Sequence, residues 1–158
     1  MRAWPHALRF VPPELVTEEL CDIALAGDPM TIQYLPEELR SPERCRIAVE
    51  HEGDLLSQVP MHLRTPELCA RALETGRSIH TASYVPKDVF TPELAQQAVK
   101  LYPRWFRDVP EHLRTRELCV AMLRVNPLLI DEVPETFREE LKKRYLRGRW
   151  KRIWIERR

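Results

Sequence analysis

The sequence has few of the features that mark membrane, exported or disulfide-stabilised proteins. Its 158 residues contain no apolar run of about 18 residues, the length that predicts a transmembrane helix. Residues 1–10 lack the apolar stretch of a secretion signal. We therefore expect a cytoplasmic protein without a transmembrane segment. A protein delivered to another cell by a route that needs no signal would look the same.

Catalytic and metal-binding motifs are also missing. The sequence contains no phosphate-binding loop, dinucleotide fingerprint, metalloprotease helix or nucleophile elbow. The four cysteines occupy the same position in four different repeats, and packed helices lie about 8–10 Å apart, too far for a disulfide or for shared zinc ligands. We expect buried free thiols, no metal and no cofactor. An enzyme would need an active site assembled from several repeats.

The composition predicts a folded domain with an uneven charge distribution. Hydrophobic residues make up 44 % of the chain, enough for a continuous core. Residues 138–158 contain ten Lys or Arg and three Glu, a net charge of +7. Because the whole chain carries +1, residues 1–137 carry −6. A basic C-terminal segment thus follows an acidic body.

A repeat of 24 residues dominates the sequence. A Val-Pro or Leu-Pro pair recurs with steps of 24, 24, 26, 24 and 24 residues. The pairs begin at Val11, Leu35, Val59, Val85, Val109 and Val133. Such a fixed period predicts an array of similar structural units.

Each repeat contains the pattern of a helix about ten residues long. Counting from the Val-Pro pair, position 7 is Ser or Thr, a good N-cap, and position 9 is Glu, which suits the first helical turn. Positions 10, 11, 14 and 15 form an apolar stripe at helical spacing. A second, shorter helix should precede the next pair, because several repeats have a proline six residues before it.

These patterns predict an all-α fold. We expect an α-solenoid of about five stacked two-helix repeats over residues 1–137, followed by a basic C-terminal helix or tail at 138–158. Residues 4–10 form a half-repeat, full repeats start at 11, 35, 59, 85 and 109, and a partial one starts at 133. The longer step predicts a change in twist or a bulged loop around residues 81–84.

The motif V-P-x-x-L-R-T-P-E-L-C-x-x-A-L, most complete at residues 59–73, resembles that of an uncharacterised family of short bacterial helical repeats. Residues 20–39 are also similar to the leucine-rich repeat variant, a 24-residue unit that alternates α-helix with 3₁₀-helix. Either resemblance covers about residues 4–137. Both imply a right-handed superhelix, and neither implies a known activity.

Two groups of residues in the repeats are candidates for partner binding. Arg40, Arg64, Arg114 and Arg138 share position 6, interrupted by Val16 and Phe90. They would form a basic edge for an acidic partner, or they would pair locally, with the Glu three residues after Arg40, Arg64 and Arg114 or with a Glu of a neighbouring repeat. Tyr102 and Trp105 are the second group, predicted to be exposed aromatic anchors.

The C-terminal segment is the third candidate. Its basic residues are interleaved with tryptophans, at Lys142, Lys143, Arg144, Arg147, Arg149, Trp150, Lys151, Arg152 and Trp154. Basic and aromatic residues together suit phosphate groups and stacked bases. A helix that caps the last repeat is the structural alternative, and a membrane surface or an acidic protein is a further one.

We therefore expect a non-enzymatic protein-binding module. An adaptor and an inhibitor or immunity-type protein fit equally well. Nucleic-acid binding through residues 142–154 is the alternative. The acidic body argues against a nucleic acid that runs along the whole array.

Overall fold

The computed structural model describes residues 4–146, and every regular secondary-structure element in this part of the chain is a helix. It contains α-helices and 3₁₀-helices and no β-strand within these residues, so the predicted all-α class is confirmed. None of the helices in residues 4–146 is long and apolar enough to cross a membrane.

Residues 4–146 contain six α-helices. The first five have ten residues each, as predicted. Their N-caps are the Ser or Thr at position 7, whose side-chain oxygen accepts a hydrogen bond from the backbone N–H three residues later. The helices are α1 Glu18–Gly27, α2 Pro42–His51, α3 Pro66–Thr75, α4 Pro92–Leu101, α5 Arg116–Val125 and α6 Glu135–Tyr145.

The second helix of each repeat is a 3₁₀-helix. At four to six residues it is too short for a stable α-helix, and the Val-Pro or Leu-Pro pair then stops it. These 3₁₀-helices are Pro29–Tyr34, Gly53–Gln58, Thr81–Tyr84, Pro103–Arg107 and Pro127–Glu132, and the predicted half-repeat is another, Pro5–Phe10. Shorter 3₁₀ turns, which were not predicted, precede several α-helices at Pro13–Leu15, Glu37–Leu39, Met61–Leu63 and Glu111–Leu113.

The chain divides into two compact units, Met1–Phe90 and Thr91–Arg158. In the first unit positions 11, 14 and 15 of α1, α2 and α3 face inward, with Leu25, Val49 and Leu73 almost fully buried, whereas Leu20 at position 10 of α1 is 39 % exposed. Ile32 and Leu56, three residues before a Val-Pro or Leu-Pro pair, are fully buried.

Gly53 allows an unusually close approach between backbones in the first unit. A Cβ built on Gly53 would lie 1.9 Å from the carbonyl oxygen of Ala72 and 2.5 Å from the backbone nitrogen of Gly76. Only glycine therefore lets the 3₁₀-helix Gly53–Gln58 lie against the C-terminal end of α3. This explains why glycine stands where other repeats have a proline, such as Pro29 or Pro103.

The extra residues of the 26-residue step lie at 76–80, just before the predicted position. The 3₁₀-helix that follows, Thr81–Tyr84, is shortened to four residues. Asp54 holds this region in place, since its carboxylate accepts hydrogen bonds from the backbone N–H groups of Arg77 and Ser78 and from the Thr81 hydroxyl. A single carboxylate thus satisfies donors that the irregular loop leaves without a helical partner.

The second unit is built around larger side chains. Trp105, Phe106, Met122 and Leu123 are fully buried. Leu141 of α6 is fully buried too, and the Arg116 guanidinium of α5 pairs with Glu140 of α6. In this unit α6 therefore covers α5, as the capping alternative for this helix requires.

All four cysteines are buried and free, as predicted. Burial raises the pKa of the Cys69 and Cys119 thiols to about 11 and also raises the pKa of Cys21 and Cys45. The thiols are therefore protonated at neutral pH and behave as small apolar residues.

The substitution Ala72→Leu tests which positions of the repeat face inward. Ala72 is fully buried on α3, so Ala72→Leu would overfill the interior and should lower the free energy of unfolding by about 1–3 kcal/mol. Ala26→Leu is the matched control, because Ala26 is exposed on α1 and should change stability by less than about 0.5 kcal/mol. Denaturant unfolding followed by circular dichroism measures both, and equal stabilities would show that the register is wrong.

Candidate functional site

The arginines at position 6 bind backbone carbonyl groups. Arg40 donates from Nε to the Leu35 carbonyl at 3.0 Å and from Nη1 to the Gln58 carbonyl at 2.6 Å. The first acceptor belongs to the arginine's own Leu-Pro pair, and the second precedes the pair of the next repeat. Arg40 thus ties two consecutive repeats together.

Arg64 repeats this geometry one unit later. Its Nε donates to the Val59 carbonyl at 2.9 Å, and its Nη1 donates to the Tyr84 carbonyl at 2.7 Å. Nη2 makes a longer contact with the Ser57 carbonyl at 3.4 Å. Partial burial lowers the pKa of Arg64 from its ordinary value, because the charged form loses hydration.

Arg114 and Arg138 make the first of these two hydrogen bonds, the one to the Val of their own Val-Pro pair. Their Nε atoms donate to the Val109 and Val133 carbonyls, both at 2.9 Å. Arg114 also donates from Nη2 to the Arg107 carbonyl at 2.8 Å, and its guanidinium carbon lies 5.3 Å from the centre of the Phe106 ring. The position-6 arginines therefore have an internal role, and partner binding by Arg40, Arg64 and Arg114 stays a prediction.

Tyr102 and Trp105 differ in exposure. Tyr102 is 40 % exposed, but Trp105 is fully buried, so the expectation that Trp105 is exposed was wrong. Trp105 lies four residues before a Val-Pro pair, the slot that Thr31 and Leu55 occupy in earlier repeats, and both of those residues are buried. Comparing that slot between repeats would have revealed that it faces inward. The two rings contact each other, with centroids 4.5 Å apart.

Only the first part of the basic segment lies within the described residues. Lys142 pairs with Glu139 at 3.2 Å, whereas Lys143 and Arg144 are exposed at the end of α6. The other predicted residues lie outside the described residues: Arg147, Arg149, Trp150, Lys151, Arg152 and Trp154.

A groove between α2 and α3 is the candidate site that sequence reasoning missed. It has a volume of about 370 Å³. Leu63 and Leu68 supply its apolar surface together with Pro42, and the charged rim consists of Arg46, Glu50, Glu67 and Arg71.

The charges on the rim are satisfied within the protein. Arg46 lies 2.6 Å from both Glu43 and Glu50, and these carboxylates raise its pKa. Arg71 pairs with Glu74 at 2.6 Å. The pKa of Glu67 is lowered by its own backbone N–H and by the Thr65 hydroxyl. The groove therefore offers apolar surface between groups that already have polar partners.

The neighbouring junction between α1 and α2 shows why the groove is open. Arg44, at position 10 of its repeat, is 8 % exposed and lies against α1. Its Nε contacts Asp22 at 2.8 Å, and it also donates to the carbonyls of Glu18 and Leu39. The equivalent residue on α3 is Leu68, which makes no such polar contacts with α2. Arg46, which could cover it, is held by the glutamates of its own helix.

A second depression, of about 770 Å³, lies between residues 111–117 and residues 134–137 of the second unit. Most of its lining residues are polar or charged, and its arginines are already engaged, Arg114 with carbonyl groups and Arg116 with Glu140. A smaller share of its surface is apolar than in the groove between α2 and α3.

Groups of three or more His, Cys, Asp or Glu side chains that could hold a metal ion are not found in residues 4–146. No protein-family model, curated protein or solved structure matches this chain.

Arg64→Lys tests the tie between repeats. A lysine has a single ammonium group and cannot reproduce the planar fork that reaches the Val59 and Tyr84 carbonyls together. We expect the free energy of unfolding to fall by about 1.5–3 kcal/mol, the usual value for hydrogen bonds to charged groups.

Arg71→Lys is the matched control, since Arg71 makes an exposed ion pair with Glu74 on its own helix. Arg71→Lys should change the free energy of unfolding by less than about 0.5 kcal/mol. If denaturant unfolding shows equal stability for the two variants, the carbonyl contacts of Arg64 do not hold the repeats together.

Proposed function

We propose that this protein is a protein-interaction module, an α-solenoid of about five 24-residue repeats that binds a partner in the groove between α2 and α3. The observation that carries the proposal is the combination of an apolar surface with a rim whose charges are already paired. The resemblance to short helical repeats and to the leucine-rich repeat variant supports the array.

The energetics favour an apolar anchor from the partner. Burying a Leu, Met or Phe side chain contributes about 1.5–3 kcal/mol. Because Arg46 and Arg71 keep their glutamate partners, covering the groove leaves neither guanidinium unpaired beneath the partner. A segment that presents one or two large apolar side chains therefore fits this surface best.

Selection from a random-peptide phage library tests the proposal. The full chain should enrich peptides with an apolar anchor, and Leu68→Glu should weaken their binding at least about tenfold, because it places a charge on the apolar surface. Ile79→Glu is the matched control, since Ile79 is 54 % exposed in the same unit and does not line the groove.

Thermal unfolding of both variants confirms that they are folded before binding is compared. Peptides that bind wild type and Leu68→Glu equally would exclude the groove as their site. Failure to enrich any peptide over an unrelated control protein would count against the function itself.

Nucleic-acid binding is the second candidate, and the exposure of Lys143 and Arg144 favours it. Fluorescence anisotropy with a single-stranded oligonucleotide at increasing salt measures it. A steep loss of affinity with salt, reduced by Lys143→Glu and Arg144→Glu, would support this candidate.

A further inference from the structure

The first α-helix leaves an apolar surface uncovered. Leu20 and Ile23, three residues apart on α1, are 39 % and 47 % exposed. Leu15 is 61 % exposed just before the helix, and Phe10 is 78 % exposed. We call Leu20 and Ile23 the α1 face, which Phe10 and Leu15 precede in the chain.

In most other repeats, the residue equivalent to Leu20 is buried. Leu20 occupies position 10, and the residues at this position on α2 and α5 are Arg44 and Leu118, which are 8 % and 4 % exposed. In the first unit, Arg44 is covered because it lies against the preceding helix. Leu20 therefore lies on the side of a repeat that the preceding helix covers at α2, whereas Ile47, the residue equivalent to Ile23 on α2, is also exposed, at 37 %.

Acidic side chains accompany the α1 face. Glu14, Glu18 and Glu19 are all exposed near it, and Glu19 lies one helical turn from Ile23. The nearby Arg9 is placed with its guanidinium 4.9 Å from the centre of the Phe10 ring. A segment that covers this face should therefore combine large apolar side chains with positive charge.

The chain itself contains such a segment. Residues 147–158 read R-G-R-W-K-R-I-W-I-E-R-R, with six Arg or Lys and a single Glu. Trp150, Ile153 and Trp154 follow one another at spacings of three and one, which would place them on one side of a helix. Both the charge and the apolar content of this segment complement the α1 face.

We propose that the α1 face binds residues 147–158 of a second copy of this chain. The two surfaces are different, so the contact is heterologous: each copy would offer its basic segment to one neighbour and its α1 face to another. Such contacts build closed rings or open chains. This inference goes beyond the proposed function and uses no residue of the groove between α2 and α3.

A labelled peptide of residues 147–158 tests the contact directly. Fluorescence anisotropy should show that the peptide binds the full chain and that rising salt weakens the complex. Ile23→Glu and Leu20→Glu should each weaken binding at least about tenfold, because they place a carboxylate in the apolar contact. A peptide with both tryptophans changed to alanine should bind at least about tenfold more weakly than the original.

Two matched controls separate this contact from other effects. Leu128→Glu changes a residue that is 70 % exposed in the second unit and should bind the peptide as wild type does. Leu68→Glu should also leave peptide binding unchanged, so failure of the groove proposal and failure of this one are distinguishable. Thermal unfolding establishes that each variant is folded.

Sedimentation velocity of the full chain gives the second readout. We expect association that grows with protein concentration, that excess peptide suppresses and that Ile23→Glu removes. A chain that stays monomeric and does not bind the peptide would overturn the proposal. Association that excess peptide leaves unchanged would overturn it too, because the α1 face would then be joined to another surface, such as a second α1 face.

Discussion

The missing N–H group of proline is the constraint on which the repeat depends. The Val-Pro and Leu-Pro pairs end the 3₁₀-helices but cannot supply a donor at the proline, so carbonyl groups around them need partners from elsewhere. The position-6 arginines supply these donors, and Arg40 and Arg64 also reach the next repeat. Two position-6 residues, Val16 and Phe90, have no guanidinium to donate, and the two compact units separate immediately after Phe90.

Position 10 controls which surfaces remain open in the first unit. On α2 it is Arg44, which fills the junction with α1 and uses Asp22 as its partner. The Arg44 guanidinium lowers the pKa of the Asp22 carboxyl, so this contact is retained at neutral pH and weakens only as acid protonates Asp22. On α3 the residue is Leu68, and a groove remains; on α1 it is Leu20, and an apolar face remains. The residue at position 10 therefore differs between the three helices, and the surface beside it is a filled junction on α2, a groove on α3 and an open face on α1.

Sequence reasoning could locate the α-helices, their caps and the buried cysteines, because local propensities and the 24-residue period both specify them. It could not identify the acceptors of the arginines, since backbone carbonyl groups leave no signal in the sequence. The groove was missed for a related reason. It depends on Arg46 pairing with Glu43 and Glu50 of its own helix, and several pairings of these charges are compatible with the sequence. Trp105 was misassigned because its slot was not compared between repeats.

The position four residues before the Val-Pro or Leu-Pro pair can be filled by two kinds of buried side chain, threonine or the tryptophan Trp105. Thr31 satisfies its hydroxyl group by donating to the carbonyl of Asp28, and Thr81 satisfies its own by donating to the Asp54 carboxylate. The indole Nε1 of Trp105 has no hydrogen-bond partner among the described residues. An unsatisfied donor costs about 1–3 kcal/mol. Burying about 200 Å² of aromatic surface contributes about 5 kcal/mol. Burial outweighs the lost hydrogen bond, so the second unit can use a large ring where the first uses threonine.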